Sequence, residues 1–349
     1  MYRQIFRKSL RQWQQFIPAF LLLFVIINLF CITDTKAQTR FSVVELNTEN
    51  LFDTLHDAGK NDYEFLPQST HRWTTYRYWE KLNKIGQELI ACGQDSTGWA
   101  LPDIIALCEV ENDSVLRDLT KRSVLRKARY EYVMTNSPDE RGIDVALLYS
   151  PFSFALLNHN SFRIKPIKDM RPTRDILYVS GRIITGDTLH FLVVHAPSRS
   201  GGEKFTRKNR LLVAERLCQT IDSIRNFSPS AYIIALGDFN DYSDSPSLGL
   251  IYSHDMVNVS ANAKGNNGAK GTYRYHGKWG SLDQIIISRN LASKLHHCRV
   301  IDDKFLLEPD SKYGGFKPYR FYMGPKYNGG YSDHLPLKLD LKLGCQVCV

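Results

Sequence analysis

Residues 231–241 read Ala-Tyr-Ile-Ile-Ala-Leu-Gly-Asp-Phe-Asn-Asp. A short apolar run stopped by a glycine predicts a buried strand. Asp238 follows Gly237 and Asn240 comes two residues later, so this strand delivers a carboxylate and a carboxamide to the edge of a core. There they can hold a metal, contact a phosphate or cap a turn. Asp241 reads as a turn residue.

The same arrangement recurs along the chain. Phe41–Leu46 predicts a strand followed by a loop beginning Asn47-Thr48-Glu49-Asn50, and Ile104–Cys108 runs into Glu109-Val110-Glu111-Asn112. Leu189–Val194 ends at His195, Ser281–Ile287 carries Asp283, and Ser332-Asp333-His334 precedes a closing strand, Leu337–Leu343. Helical spacing marks Tyr76–Cys92, Val115–Leu125 and Leu211–Ile224. Gly186-Asp187 predicts a hairpin between Ile176–Ile184 and Leu189–Val194. Ser150-Pro151 suggests another, between Ile143–Tyr149 and Phe152–Leu157. Arg199–Arg210 reads as a glycine-rich basic loop. Many strands with a few helices and no linker predict one α+β (layered α/β) domain over residues 38–349.

The chain has 349 residues and a net charge of +9. Residues 1–37 hold five basic residues and one acid, Asp34, which leaves +5 for the rest. This suits an anionic substrate. Arg3 to Arg11 is basic, Phe16 to Ile32 is apolar, and Thr35-Lys36-Ala37 offers small residues for cleavage before Gln38. This pattern predicts a signal peptide, or a signal anchor if uncleaved, and hence an exported protein, periplasmic or extracellular, that meets a membrane only through this segment. Of seven cysteines, Cys92, Cys108, Cys218 and Cys298 lie in apolar patterns that suit buried thiols. Cys345 and Cys348 form an isolated C-x-x-C that suits a local disulfide.

Six strand ends therefore carry Asn47, Glu109, His195, Asp238 with Asn240, Asp283, and Asp333 with His334. Hydrolysis of a phosphate ester needs oxygen ligands for a hard cation, a base for water and donors for developing charge. Glu109 suits the metal, although Glu111 competes on chemistry alone. His334 suits the base, with Asp283 holding its other ring nitrogen. Asn240 suits a phosphoryl oxygen, and His195 is a second candidate acid. No serine elbow, H-E-x-x-H or P-loop occurs.

In this order, Asn47, Leu107-Cys108-Glu109, Gly237-Asp238-Phe239-Asn240, Ser281-Leu282-Asp283 and Ser332-Asp333-His334 resemble the endonuclease/exonuclease/phosphatase superfamily. The resemblance implies a four-layer αββα sandwich and a Mg²⁺-dependent site (Mn²⁺ or Ca²⁺ as alternatives), with no nucleotide cofactor. It implies metal ligands Glu109, Asn47 and Asp333, with Asp238 and Asn240 on the scissile phosphate and Asp283 orienting His334. His195-Ala196-Pro197-Ser198 resembles the deoxyribonuclease branch, where the second histidine pairs with an acid; Asp144 is favoured here over Glu140. Arg174 resembles a phosphate-contacting arginine of that branch, with a solvated strand-start residue as its plain alternative. Cys108 stands where the family commonly has glutamine. The expected substrate is a phosphodiester, nucleic acid foremost, with phospholipid headgroups or inositol phosphates as alternatives. An inactive binding module of the same fold is the reading from another class.

Overall fold

The computed structural model describes residues 38–95 and 98–344. The expected signal segment and the terminal Cys345 and Cys348 lie outside them. Among the described residues, no helix is long and apolar enough to cross a membrane.

The opening stretch forms a strand flanked on both faces. In strand order, β1 (Gln38–Leu51), β2 (Ile104–Val110), β3 (Glu131–Met134), β4 (Asp144–Tyr149), β11 (Leu295–Val300) and β12 (Leu337–Gly344) form one sheet, ordered β11-β12-β1-β2-β4-β3. The second sheet contains β5 (Phe154–Phe162), β6 (Ile176–Ile183), β7 (Thr188–His195), β8 (Tyr232–Asp238), β9 (Met256–Asn258) and β10 (Asp283–Ser288), ordered β9-β10-β8-β7-β6-β5. Both sheets mix parallel and antiparallel pairs.

Side chains alternate along β8 because successive strand residues point to opposite faces. Ile234 and Leu236 join the core between the sheets, with Val43, Leu107 and Leu147 of the first sheet. Ile233 and Ala235 pack on the other face against Val213, Leu217 and Ile221 of α3 (Glu203–Phe227) and Ile251 of α4 (Pro246–Tyr252). Leu82 and Ile85 of α1 (Thr75–Ala91) and Leu116 of α2 (Asp113–Lys121) pack on the first sheet. This is the expected sandwich of two sheets with helices outside. From Thr39 onward the described chain is one compact unit. Each fully buried Leu, Ile or Phe contributes roughly 1.5–3 kcal/mol, so the continuous apolar run is a requirement of having both faces covered.

Three expectations change. Phe152–Leu157 does not form a hairpin with Ile143–Tyr149. β4 already has β2 and β3 as partners, so the chain crosses to the second sheet and β5 pairs with β6. The predicted loop at Asn47–Asn50 is a bulge within β1, where the pairing register shifts between Asn47 and Leu51 and Glu49 and Asn50 take positive φ. Most of the basic loop Arg199–Arg210 is helical, because α3 starts at Glu203.

Candidate active site

Register brings the polar strand ends together. β8 lies between β7 and β10, and Asp238 pairs with His195 on one side and Asp283 on the other. The backbones of β7 and β8 approach so closely at Gly237 that a methyl group there would sit 1.9 Å from the Val194 carbonyl oxygen. Its φ of 136° also demands glycine. Across the sandwich, Asn47 pairs with Cys108 at the adjacent ends of β1 and β2, which places Glu109 beside it. Glu109 (φ 64°) and Asn240 (φ 50°) both adopt the left-handed region. For glutamate this is uncommon and strained, a feature that clusters at functional sites.

Asn47, Glu109, His195, Asp238, Asn240, Asp333 and His334 all line one cavity of about 1170 Å³. Asp238 is its hub. Its Oδ2 accepts from Asn47 Nδ2 at 3.1 Å and Asn240 Nδ2 at 3.2 Å, and its Oδ1 accepts from the Asn240 backbone at 2.8 Å. His334 Nδ1 lies 2.7 Å from Asp283 Oδ2, which also accepts from the Thr272 hydroxyl. Tyr273 covers the imidazole at 4.9 Å between ring centres. Burial alone would lower the basicity of His334. The charge and hydrogen bond of Asp283, aided by Asp333 and Asp238, push it well above the ordinary histidine value instead. Burial, with Asp283 second, raises Asp238 to about 7.

Asp238, Asp283 and His334 bring ligand-type atoms within 4.8 Å of one another. Their bonds to Asn47, Asn240 and Thr272 describe a polar relay better than a metal cage. Glu109 is the acid better disposed to a cation. It faces the cavity, one oxygen accepting from the Asn50 backbone at 2.9 Å and the other 3.8 Å from His195 Nε2. Asn47 and Asp333 line the same cavity and offer further oxygen atoms, the type a hard divalent cation prefers, with Asn47 Oδ1 accepting from the Glu49 backbone at 3.0 Å and Asp333 paired with Arg320 at 2.9 Å. Glu111 is buried, accepts from the Asp53 backbone at 2.7 Å and does not line the cavity, which separates the two competing acids.

Other sequence-derived assignments shift. Asp144 does not pair with His195: its carboxylate is taken by the Thr135 and Ser137 hydroxyls and the Ser137 backbone. His195 Nδ1 has no hydrogen-bond partner, and its Nε2 sits 3.6 Å from Asp238. Burial, with Arg174 and Arg141 adding, keeps this ring well below ordinary basicity. Arg174 is no solvated strand-start residue. It is buried in the cavity wall, bonded to Asp139 at 3.1 Å and to the Ala196 carbonyl at 2.7 Å. Asp241 does more than turn the chain, since its carboxylate forms a buried 2.9 Å ion pair with Arg210. Cys92, Cys108 and Cys218 are buried free thiols, while Cys298 is half-buried.

Sequence reasoning missed Thr272, Arg141 and Arg199. Thr272 sits past the end of a loop with no readable pattern. Arg141 reaches within 3.7 Å of Glu109 from a turn that looked merely polar. Arg199 lay inside the basic run, which was legible only as a group.

A family model described as Endonuclease/Exonuclease/phosphatase family matches residues 42–343. The chain belongs to this family. Members of the endonuclease/exonuclease/phosphatase family are phosphoric ester hydrolases that generally depend on a divalent metal, and this chain is an enzyme of that class. Among solved structures it is similar to an endonuclease/exonuclease/phosphatase family protein from Bacteroides thetaiotaomicron, at 15% identity and TM-score 0.57 over 87% of this chain and 95% of that one. It is similar to a mannosyl-6-phosphatase from the same organism, at 16% identity and TM-score 0.58 over 87% and 100%. TDP2 from C. elegans matches at 16% identity and TM-score 0.54 over 87% and 75%. At these identities the likeness establishes the shared fold. No curated protein matches the chain significantly.

Proposed function

We propose that this enzyme is an exported, Mg²⁺-dependent phosphodiesterase that cleaves nucleic acid. One observation carries the reading. Glu109 and His334, the latter held from behind by buried Asp283, share one cavity with Asp238 and Asn240, and four arginines (Arg141, Arg171, Arg174 and Arg199) line it too. That combination suits a polyanionic backbone. The basic-then-apolar N-terminus supports export.

Glu109, Asn47 and Asp333 would hold the cation, which when bound polarises the phosphoryl oxygen and neutralises developing charge. The remaining work falls to side chains. Asp283 orients His334 by its 2.7 Å bond at Nδ1, leaving Nε2 to take a proton from water. The Asn240 amide, fixed by Asp238 and the Ala196 carbonyl, donates to the phosphoryl oxygen without adding charge. His195, buried as a weak base, donates to an oxygen of the phosphate.

The test is a substrate panel with Mg²⁺: plasmid DNA, RNA, sphingomyelin and inositol phosphates. Cleavage of DNA or RNA is expected. Turnover confined to the lipid or inositol substrates would overturn the nuclease assignment and leave the phosphoesterase intact.

A further inference from the structure

Part of the cavity wall is a polar surface with unmet hydrogen-bonding capacity. Thr173 is 3% exposed and Arg174 is 8% exposed, yet Thr173 Oγ1 and Arg174 Nε have no hydrogen-bond partner. Arg199 and Asn209 are half-buried side chains whose Nη1 and Oδ1 atoms are themselves buried without a partner. All four residues line the cavity, and they come from three separate segments. Buried polar atoms are normally satisfied, so each exception calls for an explanation. Four in one cavity wall are explained together by a ligand that brings its own hydrogen-bonding atoms. The asparagine supplies a donor or an acceptor according to the rotation of its amide.

The charge of this wall identifies the ligand. Arg174 spends Nη1 on Asp139, but Arg199 forms no ion pair among the described residues. Its guanidinium instead lies over the Tyr242 ring, 4.7 Å from the centroid. That contact preorganises a cation without neutralising it. The wall continues directly from the catalytic floor. Ala196 follows His195, and its carbonyl accepts from both Arg174 Nη2 at 2.7 Å and Asn240 Nδ2 at 3.0 Å. Arg174 thus stands on the far side of one shared oxygen from the amide assigned to the scissile phosphate. The wall also runs into the start of α3, a 25-residue helix whose N-terminus has no side-chain cap and whose positive end favours an anion.

We infer that Thr173, Arg174, Arg199 and Asn209 form a second anion subsite, which takes the phosphate adjacent to the scissile one. This rests on the phosphodiesterase reading of the catalytic floor and extends it. The preferred substrate carries at least two phosphates on one backbone, which a polynucleotide supplies at every linkage and a polyphosphorylated inositol can also supply.

Binding tests the subsite independently of turnover. Calorimetric titration in Ca²⁺ would compare thymidine 3′,5′-bisphosphate with thymidine 5′-monophosphate and 3′-monophosphate, alongside inositol 1,4-bisphosphate and inositol 1-phosphate. Hydrogen bonds to charged groups contribute ~1.5–3 kcal/mol, so the nucleoside bisphosphate is expected to bind at least about tenfold more tightly than either monophosphate. Arg199→Ala and the near-isosteric Thr173→Val should each reduce that ratio, the arginine variant to near one, with thermal melting confirming that both fold. A gain confined to the inositol pair and lost in Arg199→Ala would keep the subsite and reassign its substrate. A ratio near one for both pairs in the wild type, or one unchanged in both variants, overturns the inference. Loss of all phosphodiesterase turnover with the ratio intact would instead sink the proposed function.

Discussion

His334 Nδ1 and Asp283 Oδ2 are 2.7 Å apart in a site where both side chains are almost wholly buried. Asp283 is the first residue of β10 and His334 lies just before β12, so each comes from a different sheet. The pair proposed as the catalytic base is therefore assembled only when the two sheets pack face to face.

Replacing His334 by Ala should lower phosphodiesterase kcat by at least ~10²-fold, the usual contribution of a positioned base. Asp283→Asn should also slow the reaction and should move the acid limb of the pH profile to lower pH. The sign follows from the cause: Asp283 is the leading influence raising His334, so its removal lets the imidazole lose its proton at lower pH. An unshifted limb in steady-state kinetics from pH 5 to 9 would remove Asp283 from this role.

Asn240→Ala should reduce kcat by roughly 10²–10³-fold with little change in KM, because a donor aimed at developing charge acts in the transition state. A change in KM alone would make Asn240 a ground-state binding residue.

Much of this site was legible because a strand that ends in a polar side chain leaves a local trace. Asp238, Glu109 and His195 each follow an apolar run, and sheet formation then aligns the run ends. What was not legible depended on contacts between distant segments. Asp144 suits His195 in the sequence because it lies within the apolar run Ile143–Tyr149, but Thr135 and Ser137 bring closer donors through the β3–β4 turn. Arg210 and Asp241 are separated by 31 residues and carry no pattern that announces a buried pair. The destination of β5 was equally hidden, since its sequence suits either sheet and only the occupied edges of β4 decide it.

That buried pair yields a stability prediction. Arg210 and Asp241 side chains are 1% and 2% exposed and 2.9 Å apart, and Ser247 adds a hydrogen bond to the same carboxylate. Asp241→Asn should destabilise the protein by about 1–3 kcal/mol, because it removes the nearer and more deeply buried of the two carboxylates beside this guanidinium, leaving only Glu203 at 3.5 Å. Urea denaturation measures this, and a loss below about 1 kcal/mol would show that Glu203 alone suffices for Arg210.

Glu88 gives a pH-dependent one. It is fully buried in α1, both carboxylate oxygens lack partners, and burial raises its pKa to about 8. The folded state thus favours the protonated form. The stabilisation is complete below the unfolded value of about 4.3 and is lost as pH rises through about 8. Glu88→Gln should therefore gain thermal stability relative to wild type between pH 6 and 9, with the difference shrinking toward pH 4. A difference independent of pH would mean that Glu88 is ionised in the fold.

The central claim is a metal-dependent phosphodiesterase whose cation sits on Glu109. Its most direct test is hydrolysis of bis(4-nitrophenyl) phosphate by purified protein in Mg²⁺ and after metal removal with EDTA, for wild type and Glu109→Ala. Turnover in Mg²⁺ that disappears with EDTA, and that falls by at least ~10²-fold in the variant at equal Mg²⁺, is the expected result. Undiminished turnover without metal, or in Glu109→Ala, would contradict it.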